Sequence, residues 1–194
     1  MVFRISAQHL SLLVDFTRRE IAAKYRSSLL GGVWAVLSPV LMWLVYAIVF
    51  SMIFRVYEYG GVAQTQTEYL LSLFLGLSVF LFFSEVVVAA PDLIARRPNF
   101  VKKVVFPLWI LVASRVFVAT FALMINTILL LIAVAVSKYG LSYSTLLLPV
   151  ILFSICVFTY GIALIFASIG VFIPDVSQAV RPVVRSLFYL APIV

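Results

Sequence analysis

Four apolar stretches, at about residues 30–54, 68–90, 106–136 and 144–173, restrict this chain more than any other feature. Each is long enough for a helix to cross a bilayer, which takes about 20 residues. Backbone inside a bilayer must satisfy its own N–H and C=O groups, and a single segment of this length does so only as a helix. The expected fold class is therefore an all-α integral membrane protein, a single transmembrane domain over residues 1–194. It has four complete transmembrane helices and a truncated fifth, because the apolar stretch 186–194 is still running at the last residue. Composition agrees: 65% of residues are hydrophobic and 11% charged, whereas a soluble domain is nearer half and a quarter.

The formal net charge of +7 raises the question of nucleic acid. The basic residues, however, fall in short clusters between the apolar stretches and leave no extended basic face, which excludes that reading. Their distribution carries topology instead. Arg4, Arg18, Arg19, Lys24 and Arg26 precede the first span, Arg96, Arg97, Lys102 and Lys103 follow the second, and Arg181 and Arg185 follow the fourth. With an N-terminus inside, these eleven of the 14 basic residues share one side, and only Arg55 and Lys138 face the other. The positive-inside rule makes the richer side cytoplasmic.

Ahead of the first span, Phe3, Ala7, Leu10, Val14, Thr17 and Ile21 recur in steps of four and three, one stripe of a helix. Asp15 with Arg19 and Glu20 with Lys24 are acid-before-base pairs at i,i+4, the favourable order. Residues 1–28 are thus expected to form an interfacial amphipathic helix with a basic rim. Ser27 to Gly32 then gives a bend, with Gly31 and Gly32 relaxing the backbone. Pro39 is expected to kink the first span, and Trp34 and Trp43 to sit near its interface. Pro91-Asp92 is read as the end of the second span, and 175–186 as a connecting loop.

Charges inside spans are costly, so Glu85 and Arg115 stand out. Their distances from the ends of consecutive antiparallel spans put them at similar depth, and we expect them to pair or to share a polar interior. Asn126 and Thr127 read as groups for interhelical hydrogen bonds, and the lone Cys156 as a small apolar filler. Tyr46, Phe50, Tyr57 and Tyr59 form an aromatic set at the outer end of the first span, candidates for lining a polymer path through stacking on sugar rings. No phosphate-binding loop, HExxH or aqueous carboxylate pair occurs, so no catalytic residues, metal or cofactor are expected in this chain. If a nucleotide drives transport, another chain must bind it.

Three stretches give the chain a family likeness. The first runs from Arg19-Glu20-Ile21 through Lys24-Tyr25-Arg26-Ser27-Ser28-Leu29-Leu30-Gly31-Gly32-Val33-Trp34 to Leu37-Ser38-Pro39. The second comprises Tyr69-Leu70-Leu71, Phe82-Phe83-Ser84-Glu85 and Pro98-Asn99-Phe100-Val101-Lys102-Lys103-Val104-Val105-Phe106-Pro107. The third is Phe172-Ile173-Pro174-Asp175-Val176 with Ala191-Pro192-Ile193. The chain resembles the permease subunits of type-2 ABC exporters, most of all those that export O-antigen, capsule or teichoic-acid polymers. It departs from them at Pro174, where an arginine is usual, and at Trp109, where an acidic residue is common.

The resemblance implies a bacterial inner-membrane permease homodimer with a separate ATPase subunit that binds ATP and Mg. A lipid-linked polysaccharide would pass between the two copies. It further implies that the 92–107 loop, with Arg96, Arg97, Asn99, Phe100, Lys102 and Lys103, couples to that ATPase. The helix carrying Arg18, Arg19, Lys24 and Arg26 would brace it. Such permeases continue to a sixth span, so the chain is expected to stop short of one. A gradient-driven secondary transporter or channel, a drug-exporting ABC permease and a membrane-embedded transferase are the competing readings. The first would place ionisable groups near the bilayer midplane, and the last would cluster acidic or histidine residues at a membrane face, which this sequence lacks.

Overall fold

A computed structural model describes residues 7–26, 29–53, 66–95, 107–136 and 143–190. They form six α-helices: α1 (Ala7–Arg26), α2 (Trp34–Ile53), α3 (Gln66–Ala95), α4 (Trp109–Val136), α5 (Leu148–Phe172) and α6 (Val176–Leu190). Among the described residues there is no strand. Four helical stretches, Gly31–Val49, Glu68–Ala95, Trp109–Val136 and Thr145–Phe172, are long and apolar enough to cross a membrane. The chain is an all-α membrane protein.

The core is built around α3. Phe82, Val86, Ala90 and Ile94 recur every four residues along it and are all buried, which is how a helix presents one stripe. They meet Val112, Val116, Ala119 and Leu123 of α4 and Ala163 and Ala167 of α5. On another face of α3, Val87 packs with Val180 and Val184 of α6. Away from these seams large apolar side chains point outward, among them Val45 and Ile48 on α2, Met124 and Ile128 on α4, and Phe153 and Val157 on α5. In water that surface would be a liability; in lipid it is the protein's solvated face.

Proline did not end α3. The helix runs through Pro91 to Ala95, although the ring removes one backbone donor. Tertiary packing explains the difference: Pro91 is buried, and its carbonyl lies directly against Gly170 of α5. The expected loop at 175–186 is also corrected, because α6 begins at Val176 and continues to Leu190. Ile173, Pro174 and Asp175 make the turn. Asp175 O accepts the N–H groups of Gln178 (3.0 Å) and Ala179 (3.1 Å), and the Ser177 Oγ donates to Pro174 O (3.0 Å). Val180 and Val184 at i,i+4 give the helix a buried edge. Residues 191–194 lie outside the described residues.

α1 meets α4 through a residue outside the apolar stripe that the sequence assigns to the membrane interface. Leu13 is buried against Ile110 and Ala113, while Leu10 and Val14 are exposed. The His9 ring also sits edge-on to Trp109, with centroids 6.3 Å apart. Trp43, expected near an interface, stacks on Phe74 at 4.7 Å and ties α2 to α3. Thr127 bonds within its own helix, its hydroxyl donating to Leu123 O at 2.8 Å, rather than across to a neighbour.

Between α1 and α2 the chain turns through Gly31–Val33, a single 3-10 turn in which Val33 N donates to Leu30 O at 3.1 Å. Gly31 has φ +50° with open space around its absent Cβ, whereas Gly32 has an ordinary φ and the same open space. The demand at Gly31 is therefore conformational. An L-residue there costs about 1–2 kcal/mol, so Gly31→Ala should lower the thermal midpoint in detergent while Gly32→Ala should not.

Candidate functional site

Three helices bring three charges to one point. Glu85, on α3, accepts from Lys24 Nζ of α1 at 2.9 Å and from Arg115 Nη2 of α4 at 3.0 Å, both at Oε1. Lys24 reaches it from the last turn of α1, and Arg115 from the second turn of α4, where Ser114 and Val116 on either side are buried and fix the register. The side chains retain 38% (Lys24), 28% (Glu85) and 26% (Arg115) of their exposure. Water still screens these contacts, so each is worth about 1 kcal/mol rather than the value of a fully buried pair. Arg115 Nε is buried without an acceptor.

These charges line a cleft of about 910 Å³ between α1, α3, α4 and α6. α1 contributes Glu20 and Lys24, α3 Glu85 and Asp92, α4 Arg115, and α6 Arg181 and Arg185. Arg181 Nη2 faces Asp92 Oδ2 at 3.5 Å, a loose contact across the mouth of the cleft. The α1–α3–α4 and α3–α6 seams are thus each joined by ions at the same end of the bundle. A separate groove of about 700 Å³ between α4 and α5 is apolar. Its hydroxyls at Thr120 and Thr127 donate to Val116 O and Leu123 O of their own helix, both at 2.8 Å. It suits hydrocarbon.

The other expected residues scatter. Arg18 lines a small groove with Leu13, Ile21 and Phe117, away from the ion cluster. Arg19 is on α1, Gly31 and Gly32 form the turn, and the Arg26 side chain lies outside the described residues. So do Arg96, Arg97, Asn99, Phe100, Lys102 and Lys103, together with Tyr57, Tyr59 and the side chain of Phe50. Tyr46 is half-buried on α2. Reading the sequence missed Lys24 as the second cation on Glu85, and Asp92 with Arg181 as a link to α6. The i,i+4 spacing of Arg181 and Arg185 was the available signal that both lie on one helix face.

Comparison with known proteins places these helices in context. A family model described as ABC-2 type transporter matches residues 12–194. The O-antigen export system permease protein RfbA of Myxococcus xanthus is 27% identical over 186 residues, which covers 96% of this chain and 68% of that protein. The protein of the same designation from Klebsiella pneumoniae is 26% identical over 185 residues, covering 94% and 68%.

Proposed function

The chain belongs to the ABC-2 type transporter family, and from that premise we propose that it is the transmembrane subunit of an ATP-driven exporter of lipid-linked polysaccharide. The observation that carries the reading is the family match from residue 12 to residue 194, together with relatives designated O-antigen export permeases along almost the whole chain. ATP is hydrolysed on a separate subunit, with Mg, and two copies of this chain form the path. The membrane is the bacterial inner membrane, and the N-terminus is cytoplasmic.

In this orientation the ion cluster and the short connection from α3 to α4 lie at the cytoplasmic end. Arg96, Arg97, Asn99, Phe100, Lys102 and Lys103 are the surface offered to the ATPase. Lys24 on α1 holds the same two helices that this connection joins, through Glu85 and Arg115. A push on the connection is then shared by α1, α3 and α4 as one body, the kind of rigid shift that packed helices transmit. Tyr46, Phe50, Tyr57 and Tyr59 belong to the outer end of the path. A gradient-driven carrier would place its ionisable groups near the midplane, and the Glu85 cluster is drawn to the end where α1 lies.

The test is co-purification. The chain, purified in mild detergent from the membranes of its own host, should bring down an ATP-hydrolysing partner, and its deletion should leave the glycan inside the cell. Recovery of the chain without any ATPase, or export that persists after its deletion, would sink the reading. Replacing residues 99–103 with a Gly/Ser run should leave ATP hydrolysis running and lower export severalfold. Unchanged export would remove the coupling role from that segment.

A further inference from the structure

We propose that the cleft between α1, α3, α4 and α6 seats the phosphate group of a lipid headgroup, with Arg185 and Arg115 as its main donors. Four cations line the cleft, Lys24, Arg115, Arg181 and Arg185, against three carboxylates, Glu20, Glu85 and Asp92. The pairing inside is uneven. Lys24 and Arg115 share a single oxygen of Glu85, and Arg181 stands 3.5 Å from Asp92. Arg185 has no ion pair or hydrogen bond among the described residues, and Arg115 Nε is buried with no acceptor. The cleft thus holds surplus positive charge and unfilled donors on two different helices.

What completes such a set is an anion with several acceptor oxygens, and guanidinium groups match phosphate in a bidentate manner. The surroundings favour a phosphate attached to lipid over a soluble one. From Asp92 to Ser84 the cleft follows α3 for eight residues, about 12 Å at 1.5 Å per residue, into the apolar length of the helix. Ala23, Val88, Ala89 and Val118 line it beside the charges, so an anion entering from the membrane surface keeps hydrocarbon next to it. Two lipids share this chemistry: the carrier of the exported glycan, and an anionic phospholipid of the bilayer.

This deepens the export reading and rests on it for the identity of a carrier. The binding measured below needs no export, so the two can fail separately. The purified full chain in neutral detergent is mixed with phosphatidic acid, a long-chain isoprenyl phosphate, phosphatidylcholine or inorganic phosphate, and adducts are counted by native mass spectrometry. Phosphatidic acid and isoprenyl phosphate should be retained and phosphatidylcholine not. Arg185→Gln should weaken retention about tenfold, the loss of one charge-assisted contact, and Arg185→Lys should recover part of it. Among the described residues Arg185 has no ion pair or hydrogen bond to lose, and its side chain is exposed, so the variant should fold.

Lys138→Gln removes the same charge beyond the far end of α4 and should change nothing. Preference for isoprenyl phosphate assigns the site to the carrier, preference for phosphatidic acid assigns it to bilayer lipid, and equal retention shows a seat for the phosphate group that both share. Retention of phosphatidylcholine to the same extent, unchanged binding in Arg185→Gln, or inorganic phosphate binding as well as either lipid would overturn the proposal.

Discussion

Gly170→Leu should yield almost no folded protein, and Gly170→Ala a protein that is extracted but melts early. A Cβ at Gly170 would lie 2.3 Å from Pro91 O and 2.6 Å from Pro91 Cα, well inside contact. Both obstacles are backbone, which cannot swing aside as a side chain can. The α3–α5 seam must therefore open, and it carries Val86, Ala90, Ala163 and Ala167, all at or near full burial. Overpacking a dense core costs about 1–3 kcal/mol where side chains can adapt, and rigid backbone on both sides puts Gly170→Ala at or beyond the top of that range. The gain in helix propensity, about 1 kcal/mol, does not offset it.

Gly161 supplies the control. It lies on the same helix with nothing within 4 Å of its absent Cβ, so Gly161→Ala should hold or raise the melting temperature. Size-exclusion profiles and thermal melts in detergent check both. If Gly170→Ala is as stable as Gly161→Ala, the close approach of α3 to α5 is wrong.

The same contact shows what a sequence can and cannot convey. Four long apolar stretches are legible because bilayer thickness sets a length, and their helices follow within a few residues. Pro91 reads as a stop because the rule about proline is local. It is overridden by a neighbour, Gly170, that is 79 positions away and carries no signal of its own. Residues 175–186 read as a loop because proline and arginine outweigh a short period of valines, yet Val180 and Val184 find Val87 and the segment coils. At the site, the similar depth of Glu85 and Arg115 follows from counting along two neighbouring spans. Lys24 could not be counted in, since its distance from Glu85 depends on how α1 lies across the bundle. That packing is set by Leu13 against Ile110 and Ala113, one position away from the stripe the periodicity favoured.

Glu85→Leu should be the most damaging change at the ion cluster. The wild-type carboxylate neutralises two cations through one oxygen, so its removal does more than delete two contacts. It leaves Lys24 and Arg115 side by side in a cleft where Arg181 and Arg185 already add positive charge. Like charges repel there, and Arg115, with Nε already buried and without acceptor, loses the partner shown for its Nη2. Breaking a buried pair costs about 3–5 kcal/mol. Glu85 keeps 28% exposure, and water discounts the figure to about 2 kcal/mol.

Arg115→Leu should cost less, about 1 kcal/mol, because Glu85 retains Lys24, and Lys24→Met less still, because its ammonium is the most exposed of the three. The order Glu85 > Arg115 > Lys24 is the signature of one acceptor shared by two donors. A double variant, Glu85→Leu with Arg115→Leu, should recover stability relative to Glu85→Leu alone, since the uncompensated charge goes with its partner. Thermal melts of the four proteins, with export measured in the same strains, test this. Additive losses, or an Arg115→Leu protein less stable than Glu85→Leu, would show that the three side chains do not act as one unit, and α1 would then be held to the bundle by its apolar contacts at Leu13 alone of the two ties.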